Sequence, residues 1–222
     1  MGEPCYPVTI TRAQLEDLDG LNACEPGIEV FDFVAPTGSL TIGDVHAHAA
    51  LLAGPLGAFE DWAIAEGLLP PVRMTGGARA VLMGGYRATL TGGDGAVLTG
   101  GDYSTLTGGY RATLTGGRRS TLTGGGGYST LTGGGYSKLT AGYGATLTGG
   151  DYSTLTGGYR AALTGGDYST LLWRLYDGGR YRIVVRYVGD GIEAGVAYRA
   201  WWDHEKGEAV VEKVANNNGD TL

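Results

Sequence analysis

The sequence predicts a mainly β protein: a two-sided β-solenoid of about six 16-residue coils, with a small α-helical N-terminal domain and a C-terminal β-meander cap. Three observations predict this fold. Glycine accounts for 43 of the 222 residues, residues 74–170 form twelve eight-residue repeats, and polar and apolar residues alternate within each repeat. Ordinary domains contain about 7% glycine, so this chain is expected to be periodic or disordered. Its 42% hydrophobic content argues against disorder.

The repeats run from Met74 to Thr170, with one extra glycine among Gly124–Gly127. In each repeat, Ser/Ala-Thr-Leu-Thr alternates as a β-strand, so the leucine points to one face and the threonines to the other. The Gly-Gly pair is expected to supply a permissive backbone for a tight corner. Two repeats then close one coil, and stacked coils align apolar side chains in two columns. The first sheet stacks Leu82, Leu98, Leu114, Leu131, Leu147 and Leu163, and the second Met74, Leu90, Leu106, Leu122, Leu139, Leu155 and Leu171.

Residues 1–73 are predicted to form an acidic helical domain. They contain eleven acidic and two basic residues, whereas residues 74–170 contain four acidic and seven basic ones. Thr11 is expected to cap a helix over ITRAQLEDL, and Asp44 to start another. The negative charge of this head would steer it toward a basic partner. The candidate partner-binding residues are Glu16, Asp17, Asp19, Glu60 and Asp61.

Residues 171–222 are predicted to form a β-meander cap with a polar tail. Four strand-like segments are separated by Asp-Gly and Lys-Gly turn signals. The cap is expected to cover the last coil and to prevent end-to-end stacking of coils. The aromatic residues expected to pack there are Trp173, Trp201, Trp202, Tyr181, Tyr187 and Tyr198.

The corners of the coils give the two edges of the solenoid different compositions. One edge carries Asp-Tyr and Gly-Tyr pairs, interrupted by Arg118-Arg119, and the other carries Tyr-Arg pairs. Stacked tyrosines form a rigid amphipathic strip of the kind favoured at interfaces, and a two-fold contact would use one such strip twice. Alternatively, the rings only shield the corner backbone. The candidate self-association residues are Tyr103, Tyr136, Tyr152 and Tyr168, and the opposite basic-aromatic edge carries Tyr110, Arg111, Tyr143, Tyr159 and Arg160.

The stretch Leu139–Gly150, LTAGYGATLTGG, resembles the central repeat of bacterial ice-nucleation proteins, in which AGYGST and SLTAG motifs recur every sixteen residues. The resemblance covers residues 74–170. It implies a β-solenoid with threonine-bearing faces that order water and a tyrosine ladder along one edge. The alternative interpretation is that threonine is simply a good polar residue for a solvated strand. More loosely, a short array with an acidic helical head and a tryptophan-bearing β tail resembles bacterial and phage accessory proteins.

The sequence shows no signature of catalysis. It has no nucleophile elbow, phosphate loop or spaced carboxylate pair, and His46 and His48 fall in a predicted helix, where residues two apart do not face each other. We therefore expect no enzyme activity, metal, cofactor or small-molecule ligand. Two cysteines, no apolar run near the ~18 residues of a membrane helix and no signal segment predict a soluble, cytoplasmic protein without a membrane partner.

Together these features favour a non-enzymatic binding protein that forms a homodimer through a tyrosine-lined edge and binds a protein or nucleoprotein complex through its acidic head. The loose resemblance of the flanks adds a phage-type inhibitor of a host defence or nucleic-acid-processing complex, acting in the host cytoplasm. Direct nucleic-acid binding is disfavoured, because the repeat segment has only three more basic than acidic residues. The alternatives are an ice-binding, antifreeze-type protein acting through its threonine faces and a purely structural solenoid.

Overall fold

A computed structural model of the chain describes residues 9–11, 39–41 and 71–214. The chain divides into two compact units, Met1–Val72 and Arg73–Leu222. In the first unit, strand β1 (Thr9–Thr11) pairs antiparallel with β2 (Ser39–Thr41). The prediction of a helix over ITRAQLEDL is therefore wrong at Ile10 and Thr11, because Thr-Ile-Thr alternates with the period of a strand. The other predicted helices lie outside the described residues, as do the five candidate residues of the acidic head.

The second unit begins with twelve strands of three or four residues each. These strands are β3 (Arg73–Thr75), β4 (Val81–Met83), β5 (Thr89–Thr91), β6 (Val97–Thr99), β7 (Thr105–Gly108), β8 (Thr113–Gly116), β9 (Thr121–Gly124), β10 (Thr130–Gly133), β11 (Lys138–Thr140), β12 (Thr146–Gly149), β13 (Thr154–Gly157) and β14 (Ala162–Gly165).

Even-numbered and odd-numbered strands separate into two sheets, as expected for a two-sided coil. Within each sheet, every solenoid strand pairs in parallel with the strand two positions away in the chain. Leu131 pairs with Leu114 and Leu147, and Leu139 pairs with Leu122 and Leu155. The same register extends through both predicted columns, whose leucines are fully buried from Leu90 onward. The predicted β-solenoid of about six coils is confirmed.

The Gly-Gly pairs have a different purpose from the predicted one. At regular corners the positive φ falls two residues later, on residues such as Tyr152 (58°). The first glycine of each pair faces the core: a Cβ on Gly149 would lie 2.8 Å from the Cβ of Ser153. The second contacts the preceding coil: a Cβ on Gly150 would lie 2.8 Å from the backbone nitrogen of Gly135. At most corners glycine therefore occupies positions where a side chain has little room; the exceptions are Ala141, which takes the first position of one corner, and Gly77 in the first coil, where a Cβ would meet nothing within 4 Å.

The C-terminal part forms two hairpins and not the single meander that we predicted. Strand β15 (Thr170–Tyr176) continues the second sheet, pairing parallel with β13 and antiparallel with β16 (Tyr181–Tyr187). Strand β17 (Ala197–Asp203) extends the first sheet, pairing antiparallel with β14 and with β18 (Glu208–Lys213). The last coil leaves one open edge in each sheet, and each hairpin covers one of them.

The aromatic residues of the cap divide between core and surface. Trp173 is fully buried, its Nε1 donates a hydrogen bond of 3.0 Å to the carbonyl of Ala161, and Tyr198 is also buried. Tyr181 and Tyr187 are exposed, contrary to prediction, because they lie on the outer face of the β15–β16 hairpin. Two tryptophans on opposite faces of β17 are half-buried: Trp201 and Trp202.

Candidate functional site

The corners of successive coils lie above one another along the two edges of the solenoid. After each glycine pair come two corner residues, and the second, when it is not glycine, has a left-handed φ between 55° and 60°. Its N–H donates to the carbonyl of the first corner residue of the next coil, as Tyr152 does to Asp167 at 2.8 Å. Corner side chains are therefore held at the strand spacing of about 4.8 Å, which suits the stacking of rings.

The tyrosine edge carries a continuous column of stacked side chains. We define it by the corners Tyr86-Arg87, Asp102-Tyr103, Arg118-Arg119, Gly135-Tyr136, Asp151-Tyr152 and Asp167-Tyr168. The rings of Tyr136, Tyr152 and Tyr168 are nearly parallel, with successive centroids 5.0 Å apart. At the other end of the column, Tyr86 meets Tyr103 edge to face at 5.4 Å.

An arginine joins the two tyrosine groups of this column. The guanidinium of Arg119 lies 5.6 Å from the ring centre of Tyr103 and 5.5 Å from that of Tyr136, and its Nη1 donates to the Tyr103 hydroxyl at 2.8 Å. A cation between two aromatic faces is attracted to both. Arg119, which in sequence interrupts the tyrosines, thus occupies one position of the stack.

Aspartates at the first corner position bind the backbone of the following coil. The Oδ1 atoms of Asp102 and Asp151 accept the N–H groups of Arg118 (2.7 Å) and Asp167 (3.0 Å). Asp94, on the opposite edge, accepts the N–H of Tyr110 at 2.8 Å. These charged acceptors hold successive corners in line.

The opposite, basic-aromatic edge is less regular. We define it by the corners Ala78-Arg79, Asp94-Gly95, Tyr110-Arg111, Gly127-Tyr128, Tyr143-Gly144 and Tyr159-Arg160. Tyr128 meets Tyr110 and Tyr143 edge to face at 6.0 and 5.3 Å, and only Tyr143 and Tyr159 stack, at 5.9 Å. Two guanidinium groups of this edge lie over the adjacent tyrosine of the same corner: Arg111 over Tyr110 and Arg160 over Tyr159.

Packing raises the pKa of one phenol on each edge, for different reasons. On the tyrosine edge, burial raises the pKa of Tyr152 most, and the neighbouring phenols and the Asp151 and Asp167 carboxylates add to it. On the opposite edge, a hydrogen bond with Tyr143 raises the pKa of Tyr128 most, followed by burial. Both phenols therefore resist ionisation.

The structure brings the predicted residues together on the expected edges. Tyr103, Tyr136, Tyr152 and Tyr168 share the tyrosine edge, and the five predicted basic-aromatic residues share the other. Sequence reasoning missed Tyr86 and the stacking role of Arg119. It also missed Tyr128, because the extra glycine displaces this residue when positions are counted from the preceding glycine pair. Counting back from Ser129 would have placed Tyr128 in the second corner position.

The threonine faces remain exposed on neighbouring strands in register. Each sheet has three adjacent strands with two exposed threonines apiece. On the second sheet these are Thr89, Thr91, Thr105, Thr107, Thr121 and Thr123, and Lys138 ends this array on the next strand, as the sequence indicates. The first-sheet array consists of Thr113, Thr115, Thr130, Thr132, Thr146 and Thr148.

Among the residues that the structure describes, no group of three or more His, Cys, Asp or Glu side chains is arranged to hold a metal ion. The same residues include no helix of the length and apolarity needed to cross a membrane. Compared with known proteins, the chain matches no family model, no curated protein and no solved structure.

Proposed function

We propose that this chain is a non-enzymatic binding protein that forms a homodimer through its tyrosine edge. The distribution of charge along that edge carries the proposal. Its first three corners contain three arginines and one aspartate, whereas its last three contain two aspartates and no basic residue. A two-fold axis between the third and fourth corners sets Arg87 against Asp167 of the other copy and Arg118-Arg119 against the uncharged corner Gly135-Tyr136, with Asp102 opposite Asp151. The net charges of the two facing halves are therefore opposite.

The side chains of the tyrosine edge support the same proposal. Tyr103, Tyr136, Tyr152 and Tyr168 are between 41% and 71% exposed, although their rings are held in one column. Tyrosine and arginine are enriched in interfaces, where they contribute large contact areas. Side chains that are already ordered in the free protein lose little conformational entropy on binding.

Removal of the rings tests the dimer directly. We expect the combined variant Tyr103→Ser, Tyr136→Ser, Tyr152→Ser and Tyr168→Ser to change a dimeric mass into a monomeric one in size-exclusion chromatography with light scattering. The matched control removes the same number of rings from the opposite edge, at Tyr110, Tyr128, Tyr143 and Tyr159, and should remain dimeric. An unchanged mass for the first variant, with the wild-type far-ultraviolet circular dichroism, would overturn the proposal.

A charge swap tests the orientation of the two copies. The proposed axis sets Arg87 of one copy against Asp167 of the other. The single variants Arg87→Glu and Asp167→Arg should each weaken the dimer at low salt, because each creates two like-charge contacts. An equimolar mixture of the two variants should restore a dimer, since both contacts then join opposite charges. Failure of the mixture to associate better than either variant alone would reject this orientation.

For the acidic head we propose binding to a basic protein or nucleoprotein partner, as in a phage-type inhibitor of a host defence or nucleic-acid-processing complex. The support is the excess of nine negative charges in residues 1–73. The full-length variant Glu16→Lys, Asp17→Lys and Asp19→Lys should lose any such complex that purifies with the wild-type chain, while its dimer remains intact. Equal recovery by both proteins would remove the head from this role.

The threonine arrays of the two sheets favour a second candidate function, the ordering of water on ice. On each sheet, six exposed threonines lie on three strands in register, with nothing larger between them. The variant Thr115→Lys, Thr132→Lys and Thr148→Lys should weaken ice shaping in a nanolitre osmometer, with the tyrosine-edge variant as control. Adding Thr91→Lys, Thr107→Lys and Thr123→Lys on the second sheet should abolish it. Absence of ice shaping by the wild-type protein would exclude this candidate.

A further inference from the structure

The tyrosine edge ends at the corner Asp167-Tyr168, where three contacts that the preceding corner makes are left open. At that preceding corner, Asp151 Oδ1 accepts the N–H of Asp167, the N–H of Tyr152 donates to the Asp167 carbonyl, and the Tyr152 ring stacks on Tyr168. Within residues 71–214, no group donates to the Asp167 carboxylate and none accepts the N–H of Tyr168. No ring or guanidinium there covers the second face of the Tyr168 ring.

The exposure of the rings reflects this open end. Tyr136 and Tyr152, which have a stacking partner on each face, are each 49% exposed, whereas Tyr168 is 71% exposed. The difference corresponds to one uncovered ring face. Tyr168 therefore offers a flat aromatic surface held in place from behind by Tyr152.

The loop after β16 forms backbone hydrogen bonds to the last coil on both sides of the corner Asp167-Tyr168 but does not cover that corner. Val188 N–H donates to the Ser169 carbonyl at 2.9 Å, and Gly195 N–H donates to the Gly165 carbonyl at 2.9 Å. Between these bonds lies a groove of about 590 Å³. On the opposite edge the last corner is closed instead, since Arg160 N–H donates to the carbonyl of Ala200.

The charge of the groove selects a cation. Its lining includes Asp167 and Glu193 and no basic side chain, and Glu193 is bound by Lys213 at 2.6 Å. The free carboxylate is therefore that of Asp167. The tyrosine edge already contains a cation of the kind that fits such a position. The planar guanidinium of Arg119 lies between two tyrosines within the same column.

We propose that this groove binds a two-residue segment of a partner protein, any residue with a free N–H followed by arginine, docked as a seventh corner. The N–H of the first residue donates to Asp167 Oδ1, and its carbonyl accepts the N–H of Tyr168. The arginine guanidinium stacks on the free face of Tyr168, as Arg119 stacks on Tyr103 of the preceding coil. The site shares Asp167 and Tyr168 with the proposed dimer interface, so a bound segment and a second copy would compete for these two side chains.

Short capped peptides test each contact separately, with the full-length Arg87→Glu variant, whose proposed dimer is weakened, and assigned backbone amide resonances. We expect acetyl-glycyl-arginine amide to shift the Tyr168 amide signal saturably. Acetyl-glycyl-lysine amide, which keeps the charge but loses the planar group, should bind about threefold more weakly. Acetyl-prolyl-arginine amide lacks the N–H that Asp167 would accept, and should bind about tenfold more weakly.

Two variants locate the binding. Tyr168→Leu should weaken the glycyl-arginine peptide about threefold and remove its preference over the lysine peptide. Asp167→Asn should weaken it about tenfold, while Tyr181→Leu, at an exposed tyrosine outside the groove, should bind as the wild type does. The proposal is overturned if no peptide shifts the Tyr168 amide, if the prolyl peptide binds as tightly as the glycyl peptide, or if Tyr168→Leu binds unchanged.

Discussion

The two edges of the solenoid share one backbone but differ in the position of their tyrosines. On the tyrosine edge, Tyr136, Tyr152 and Tyr168 occupy the second, left-handed corner position and stack at 5.0 Å. On the opposite edge, Tyr143 and Tyr159 occupy the first position and stack at 5.9 Å. Identical side chains on the same scaffold thus pack more tightly from the left-handed position, where successive rings lie closer to the spacing of the coils.

The extra glycine accounts for the second difference between the edges. It gives one corner of the basic-aromatic edge five residues, Gly124–Tyr128, and Gly126 takes up the insertion with a φ of 74°. Tyr128 consequently occupies the second corner position between Tyr110 and Tyr143, which occupy the first, and its ring meets theirs edge to face. One inserted residue is enough to interrupt stacking on one edge while both leucine columns remain in register.

The largest expected effect is on the free energy of unfolding, and it tests the close contact between corner backbones of successive coils that both edges share. A Cβ on Gly150 (tyrosine edge) or Gly158 (opposite edge) would lie 2.8 Å from the backbone of the preceding coil, whereas a Cβ on Gly77 meets nothing within 4 Å. We expect Gly150→Ala and Gly158→Ala each to lower the free energy of unfolding by about 2–3 kcal/mol. Gly77→Ala, the matched control in the first coil, should be close to neutral.

Urea denaturation followed by circular dichroism measures these three changes. Equal losses at Gly150 and Gly158 would show that the two edges depend on the same contact between backbones. A loss at one edge only would mean that the corners of the other can move apart, and a large loss at Gly77 would contradict the steric explanation.

The contrast between edges also explains what the sequence could and could not predict. The leucine registers were predictable because a fixed period and alternating polarity determine which strands lie side by side. The role of the glycines was not, because a doublet of glycines is compatible both with a positive φ and with a lack of space. Only the structure places the positive φ on residues such as Tyr152 and Arg160.

Contacts between different repeats were harder still to predict. Asp102 binds the backbone of Arg118, sixteen residues later, and nothing in the local sequence indicates this hydrogen bond. The open groove at Asp167 and Tyr168 depends on a loop whose path follows from the division of the cap into two hairpins. Turn signals predicted the four strands of the cap but contain no information on which sheet each hairpin joins.

A smaller effect should distinguish the stacked arginine of one edge from its counterpart on the other. Arg119 lies between two rings and donates to a hydroxyl, whereas Arg111, with nearly the same φ, lies over the ring of Tyr110 alone. We expect Arg119→Met to lower the free energy of unfolding by about 1 kcal/mol and Arg111→Met by about 0.5 kcal/mol. Thermal unfolding at matched salt concentration measures both. Equal losses would mean that the second ring contact of Arg119 contributes nothing.

The smallest effect concerns the ionisation of the phenols. A raised pKa means that the folded state prefers the neutral phenol, so stability is unaffected below the ordinary tyrosine pKa of about 10 and falls as the pH rises from there toward the folded-state value. The cause differs between edges: burial contributes most at Tyr152, and the hydrogen bond with Tyr143 contributes most at Tyr128.

Tyr143→Phe should therefore lower the pKa of Tyr128 toward its ordinary value. Tyr136→Phe, the matched change on the tyrosine edge, should leave the pKa of Tyr152 raised, because the phenylalanine ring still covers it. Carbon-13 resonances of labelled tyrosine rings, followed with pH, report the two groups separately. If both substitutions lowered the neighbouring pKa equally, direct interaction between phenols would govern both edges, and the distinction between a buried stack and a hydrogen-bonded pair would fail.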